Sequence, residues 1–471
     1  MPDETISEKL ATYISSRQFK DIPSGVVDAA KLHILDALGC LLAGTRLEPG
    51  KLAYELALAA SQADFRSAST LFGSAERAVY SEAIQAMSVA AHCGEMDDIH
   101  AGAGTCIGAV IVPALLAMAE RNDRSGTRFL EAAIAGYETI IRVGLCIDAP
   151  KLFARGWWPS TICGAFGVAA AGAKFLSFSL EKTVHALGIA ALHAGGMITG
   201  GNEGATARHL AFGHAAQNGV LALLAAERGF SGPKRVFEDP RGFCLTLSSE
   251  PKWEILQSFD GYYLPEVAFK PYPCARQLHA GVEALLKIIG QGSLTPEMIG
   301  EIELFLPAQN AVMMDRPTMT ASHAATVGSG QYVMAVTMIR GRIDLASFDR
   351  KFLQSVEVHD LMRKVKVSPS ADLDRHYPKY WPGRVALRLS DGRSYSEEVI
   401  IPKGESGNPM TAREVEEKFL FLAASILGEE KARSVMREVY MLDARESLSS
   451  LFDALEVPTN FLPPFNGGRL G

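Results

Sequence analysis

No run of the 471-residue sequence is apolar for long enough to cross a bilayer. The richest segment, Gly164 to Ala173, is short and built mostly of glycine and alanine. Basic residues form no block, and the net charge of -7 argues against nucleic acid and anionic membranes as partners. The seven cysteines include no CxxC pair and follow no regular spacing, which excludes a disulfide framework and a zinc site and points to a reducing cytoplasm. The opening MPDETISEKL lacks the basic, apolar character of a signal peptide. Gly195 to Gly219 is rich in glycine, but it has neither GxGxxG nor GK[ST] and no strand before it, so it is not a nucleotide loop. A small molecule or another protein remains as the partner.

With 48% hydrophobic and 21% charged residues the chain can bury a large core, and its length predicts two domains. Thr5 and Glu8 form a capping box for a first helix ending near Gln18. From Pro23 the pattern predicts helix after helix: Pro23 to Leu42, Gly50 to Gln62, Ser81 to Met96, Ile107 to Arg121, Gly126 to Cys146, Ser160 to Leu176, Leu180 to Ala194 and Gly213 to Arg228. Alanine dominates the apolar faces, which suits closely packed helices.

After Pro265 the pattern changes. Ile302 to Leu306 predicts a strand, and Asp391-Gly392 predicts the turn of a hairpin. Gln331 to Arg340, Phe348 to Val365, Thr411 to Leu427 and Glu429 to Leu442 predict helices. The expected fold is mainly α: a large all-helical domain, 1–268 and 403–471, interrupted by a smaller α+β lid domain at 269–402.

One stretch breaks the local rules. Glu95, Asp97, Asp98 and His100 crowd together at or just past a helix C-terminus, where the macrodipole disfavours carboxylates. On a continued helical turn Glu95 and Asp98 would share a face, as would Asp97 and His100. Asp98 alone suits a cap for the helix starting near Ile107; the four together, beside Gly102, Gly104 and Gly108, predict a site. The spacing is not that of a calcium loop, so no metal is expected.

Three other stretches can complete that site. Arg155, Trp157 and Trp158 precede a helix whose first residues, Ser160 and Thr161, suit an anion. Gly195 to Gly219 is expected to be an irregular connection presenting Arg208, His209 and His214. Lys270, Cys274, Arg276 and His279 lie on the inferred domain junction, where ligand clefts are favoured.

At these stretches the chain resembles the MmgE/PrpD family, which includes 2-methylcitrate dehydratase, cis-aconitate decarboxylase and iminodisuccinate epimerase. The resemblance runs nearly end to end, through Asp36 to Gly44, the Met96-Asp97-Asp98 segment, Gly164 to Leu176, Gly213 to Pro233 and Lys270 to Ala280. It implies a helical domain plus a lid, a homodimer, and no metal or organic cofactor. Asp97 and Asp98 match the family's paired aspartates, Glu95 the acid before them, and His279 the histidine after PYPC; Lys270 and Cys274 match too. Thr105 and Cys106 stand where relatives resemble HPSGAV, Trp158 stands for the histidine of GxHP, Arg208 for a lysine, and Ile99 for a threonine.

The function expected from these residues and this resemblance is that of a cofactor-independent lyase on a small di- or tricarboxylate, of dehydratase or decarboxylase type. His279 and His100 are the expected acid/base groups, with Asp97 and Glu95 beside them. Arg208 is the expected carboxylate anchor, and Lys270, Asp98, Trp158, Thr105 and Cys274 are expected to bind substrate. The alternatives are an epimerase or isomerase of a dicarboxylate and a catalytically silent carboxylate binder.

Overall fold

The computed structural model describes residues 4–61, 68–292, 294–317 and 322–457. The fold is mainly α, with a four-stranded sheet and two small hairpins. Helix Ile6–Ser16 starts at the Thr5/Glu8 capping box, with both reciprocal bonds formed. Helices Ser24–Gly44, Glu48–Ala60, Tyr80–Cys93, Gly108–Arg121, Gly126–Cys146, Pro159–Phe175, Leu180–Leu192 and Ala207–Glu227 follow. They agree with the predicted series to within a few residues at most ends; Gln62 lies outside the described residues.

The Tyr80–Cys93 helix, which carries the site, lies against Ser24–Gly44 on one side and Ala207–Glu227 on the other. Close approach requires glycine at both crossings. A Cβ on Gly44 would overlap the Ala90 carbonyl oxygen, and one on Gly213 would stand 2.6 Å from the carbonyl oxygen of Gln85. The alanine-rich faces thus bring three helices together around one polar end.

Helix Ala412–Leu427 returns to the first part of the chain and packs on Ser24–Gly44. Its buried Lys418 lies 2.5 Å from Asp36 Oδ1 and donates to the Met96 carbonyl at 2.6 Å, fastening the C-terminal helices to the loop that leads into the site.

A second core, from Cys274 to Val399, is built on the sheet. Its strand order is Val365–Pro369, Ile299–Leu306, Gly383–Leu389, Ser394–Val399; the first pair is parallel and the others antiparallel. Gly392, at φ 93°, turns the last hairpin. Helices His279–Gly290 and Gly330–Arg340 pack against this part. The predicted long helix from Phe348 to Val365 is instead two short helices, Arg350–Leu353 and Val356–Met362, ending in the strand at Val365. The sheet edge has captured the end of a segment whose local pattern is helical. Trp381 belongs to the core of the helical part although it sits between two strands of the sheet, so the two parts interlock there. Among the described residues no helix is long and apolar enough to cross a membrane.

Candidate active site

The Tyr80–Cys93 helix stops at Gly94 and Glu95, and Glu95 takes the left-handed conformation, φ 52°. A non-glycine residue there is strained unless its surroundings hold it. Arg208 supplies that hold by bonding Glu95 Oε1, with Lys270 Nζ 3.4 Å from Oε2. The helix thus ends at Cys93 rather than at the predicted Met96, and the chain then doubles back through a two-residue hairpin, Ile99–His100 against Thr105–Cys106.

The hairpin separates the polar residues by face. Cys106 and Ile99 look into a cleft, whereas His100 and Thr105, paired with each other, do not line it. The cleft holds about 580 Å³ including its mouth. His92, Glu95, Trp158 and Arg208 line it from the helical part, Lys270 from the junction, and Arg276, Met313, Arg316, Val327 and Gly328 from the α+β part.

One wall of the cleft carries a dyad, His92 on the lining and Asp97 behind it. His92 Nδ1 is 2.9 Å from Asp97 Oδ2, and Lys270 Nζ is 3.3 Å from Asp97 Oδ1. Burial alone would raise the Asp97 carboxyl, but the charges and hydrogen bonds of His92 and Lys270 outweigh it and hold it at about 2. An ionised carboxylate only accepts, so Nδ1 carries the proton and donates. His92 Nε2 is then a lone pair; it is buried, lines the cleft with its ring, and has no hydrogen-bond partner among the described residues. Burial lowers the His92 pKa, partly countered by Asp97, so the imidazole is neutral near pH 7. The ring is held flat against Phe212, centroids 3.9 Å apart, and beside Trp158.

Lys270 keeps its proton: burial works against the charge, and Asp97 more than compensates. Its ammonium also lies 3.7 Å from Cys106 Sγ. His92, Asp97 and Cys106 offer three ligand atoms within 4.8 Å of one another. The Lys270 ammonium touches two of the three, so the positive charge that such a donor set attracts is already supplied by the chain.

Two family models match in order, the MmgE/PrpD N-terminal domain over residues 8–256 and the MmgE/PrpD C-terminal domain over 272–442. The chain belongs to the MmgE/PrpD family. Relatives span nearly its whole length. A cis-aconitate decarboxylase-like protein, oryM, of Aspergillus oryzae is 27% identical over 96% of this chain and 97% of its own. Cis-aconitate decarboxylase of Aspergillus terreus is 27% identical over 96% of both chains, and that of Homo sapiens 29% identical over 97% of this chain and 95% of its own.

Against that family pattern, the structure gathers some of the predicted residues and disperses others. Glu95, Lys270, Arg208 and Trp158 line the cleft, and Asp97 lies directly behind His92. Arg208 stands on the first turn of the Ala207–Glu227 helix, not in an irregular connection, and its guanidinium carbon is 5.4 Å from the Trp158 ring. Burial lowers its pKa to about 10.

Asp98 does not line the cleft. Its Oδ1 accepts from the amides of Gly108, at 2.7 Å, and Ile107, and its Oδ2 accepts from Tyr137 and faces His33 at 2.8 Å. It caps the Gly108–Arg121 helix, which leaves no oxygen for substrate. His100 is turned toward Glu266 and Tyr263, its Nδ1 accepts from Ala103, and burial lowers its pKa to about 4. Cys274 is wholly buried in the second core.

His279 is likewise outside the cleft. Its Nε2 is 3.1 Å from the Cys274 carbonyl and its Nδ1 3.1 Å from Arg276, so both nitrogens are engaged within its own segment. Arg276 in turn bonds Glu405 and the carbonyls of Phe269 and Lys403. His279 therefore props a guanidinium that lines the cleft.

Sequence reasoning passed over His92 and Arg316, and noted Cys106 only as a departure from the family's motif. For His92 a signal existed: a histidine in the last turn of the helix, three residues before Glu95 and five before Asp97. For Arg316, which comes from the far side of the cleft, no local pattern pointed to it.

Proposed function

We propose that the protein is a lyase that removes a proton beside a carboxylate of a small di- or tricarboxylate, with loss of water or carbon dioxide, and that it needs neither metal nor organic cofactor. The observation that carries this reading is the His92–Asp97 dyad, whose Nε2, 3.9 Å from Glu95 Oε1 and without a hydrogen bond among the described residues, belongs to a ring lining a cleft walled by Arg208, Lys270, Arg276 and Arg316. His92 takes the proton, and Asp97 fixes its tautomer and stabilises the imidazolium that forms; in a dehydration the imidazolium returns that proton to the departing hydroxyl, and in a decarboxylation it protonates the carbon left with the electron pair of the broken C–C bond, with one further proton drawn from solvent. The enediolate charge that develops on the substrate carboxylate is met by Lys270 and Arg208, buried cations whose effect is large because water is excluded. The segment 269–402 acts as the lid, carrying Arg276 and Arg316 over the substrate.

His92 is the only imidazole lining the cleft among the described residues, which favours a lyase over an epimerase built on two facing imidazoles. The names of the relatives make cis-aconitate the first acid to test. Incubation in D2O with cis-aconitate, methylcitrate, citrate and aspartate-derived acids, followed by NMR, separates the readings. A new alkene or released carbon dioxide supports the lyase. Deuterium at the α-carbon without net product indicates an epimerase, and no change with any acid indicates a binder.

A further inference from the structure

Among the described residues that line the cleft, three carry a buried nitrogen with no hydrogen-bond partner: His92 Nε2, Arg208 Nε and Trp381 Nε1. The first is the lone pair of the dyad, and the second belongs to a guanidinium that is ion-paired with Glu95 through Nη2. Trp381 Nε1 has neither role. An indole has one polar atom, and that atom only donates, so the whole hydrogen-bonding capacity of this side chain is unused.

The place does not favour an idle donor. Trp381 is 1% exposed and belongs to the core of the helical part, although its backbone lies just before the strand Gly383–Leu389 of the α+β part. That strand starts hard against the helix His279–Gly290: a Cβ on Gly383 would stand 2.9 Å from the amide nitrogen of Gly281. The Tyr377 ring lies beside the indole, with centroids 6.2 Å apart. Trp381 is thus anchored in both parts at a wall of the cleft. Losing water without gaining an acceptor is a net cost for an N–H group, and phenylalanine would line an apolar wall without it. A donor fixed before a ligand arrives holds an oxygen with little further loss of freedom.

We propose that the Trp381 N–H donates to an oxygen of the acid bound in the cleft, as the uncharged donor beside the cations Arg208, Lys270 and Arg276. The inference rests on the carboxylate reading of the cleft given above and adds a residue that binds the acid without charge. A cation attracts an anion at a distance and tolerates a shifted position, whereas an indole N–H rewards only an acceptor close to its own line. Trp381 is therefore a positioning residue: the cations draw the acid in, and the indole sets how it lies.

The test follows the indole N–H signals of the four tryptophans by NMR in the full-length protein labelled with nitrogen-15 tryptophan; the signal missing from Trp381→Phe is that of Trp381. The titrant is tricarballylate, the saturated analogue of cis-aconitate, which has neither a double bond nor a hydroxyl, and calorimetry on the same samples gives its affinity. Saturation is expected to move the Trp381 proton downfield, as a hydrogen bond to a carboxylate does. Trp381→Phe is expected to bind tricarballylate roughly tenfold to a hundredfold more weakly, the size of one hydrogen bond to a charged group. An indole that only packs gives a different result, a lower melting temperature in the variant with affinity unchanged. Binding that leaves the Trp381 signal in place, or that is equally tight in wild type and Trp381→Phe, overturns the proposal and leaves the carboxylate reading standing. If Trp381→Phe does not fold, the signal is assigned by elimination from Trp157→Phe, Trp158→Phe and Trp253→Phe, and its displacement alone decides. No binding of tricarballylate, citrate or cis-aconitate overturns the carboxylate reading and the proposal together.

Discussion

Asp97 grips His92 at 2.9 Å from a position five residues further along the chain, reached only because the helix ends at Gly94 and the backbone turns back through Glu95. The pair therefore depends on a strained turn that Arg208 and Lys270 hold in place.

If this dyad supplies the base, His92→Asn is expected to lower turnover by a hundredfold or more while the protein stays folded. His279→Asn is expected to keep turnover within severalfold and to lower the melting temperature, because it cuts the links to Cys274 and Arg276. Steady-state kinetics and thermal melts on both variants check this; the opposite pattern returns the base to His279.

The pH profile is set by the direction of the His92 shift. Burial favours the neutral, basic form, so kcat/KM is expected to be flat through neutral pH and to fall only on the acid side, with its midpoint below 6.5. A midpoint above 6.5 would contradict the assignment.

Asp98→Ala is expected to act on stability. It strips the cap from the Gly108–Arg121 helix and leaves Tyr137 and His33 without their acceptor in the core, a loss of about 3 kcal/mol or more. Urea unfolding measures it. Unchanged stability with weakened substrate binding would restore Asp98 to the substrate.

His323 is buried beside Phe348 with no hydrogen-bond partner on either ring nitrogen among the described residues, and burial lowers its pKa to about 4. The unfolded chain takes up this proton near pH 6.5 and the folded chain only near 4, so this group's stabilising contribution is full above 6.5 and is lost as pH falls between the two values. The amount is on the order of 3 kcal/mol. His323→Leu is expected to lose that much less stability than the wild type between pH 7 and pH 4, measured by urea unfolding at each pH.

Lys270→Ala is expected to turn the site into a metal site. With the ammonium gone, His92, Asp97 and Cys106 present three ligand atoms to an open cleft. Co2+ added to the variant is expected to give thiolate-to-metal absorption that the wild type does not show. Absence of that band in the variant would mean the three groups cannot converge on one ion.

Much of the helical part is legible in the sequence because its signals are local. The Thr5/Glu8 cap, the Gly126–Cys146 helix and the Asp391-Gly392 turn each depend on residues a few positions apart. The role of Asp98 as a cap was readable for the same reason: the amides it accepts from are only nine and ten residues away. The Phe348 to Val365 segment was misjudged because a neighbouring strand, not its own periodicity, decides how it ends.

By itself, then, the sequence determined the helical architecture, the family and the acidic stretch on which the site is built, since helix periodicity, caps and ordered motifs are written in neighbouring residues. Only the tertiary structure decided which acids and imidazoles face the cleft. A two-residue hairpin turns His100 and Thr105 away, and Cys274 and Arg276 engage both nitrogens of His279. Arg208 and Arg316, more than a hundred residues apart, meet at Gly201 because two cores pack there. Side-chain direction on so short a strand, and proximity between distant segments, are set by packing, and no local pattern carries either.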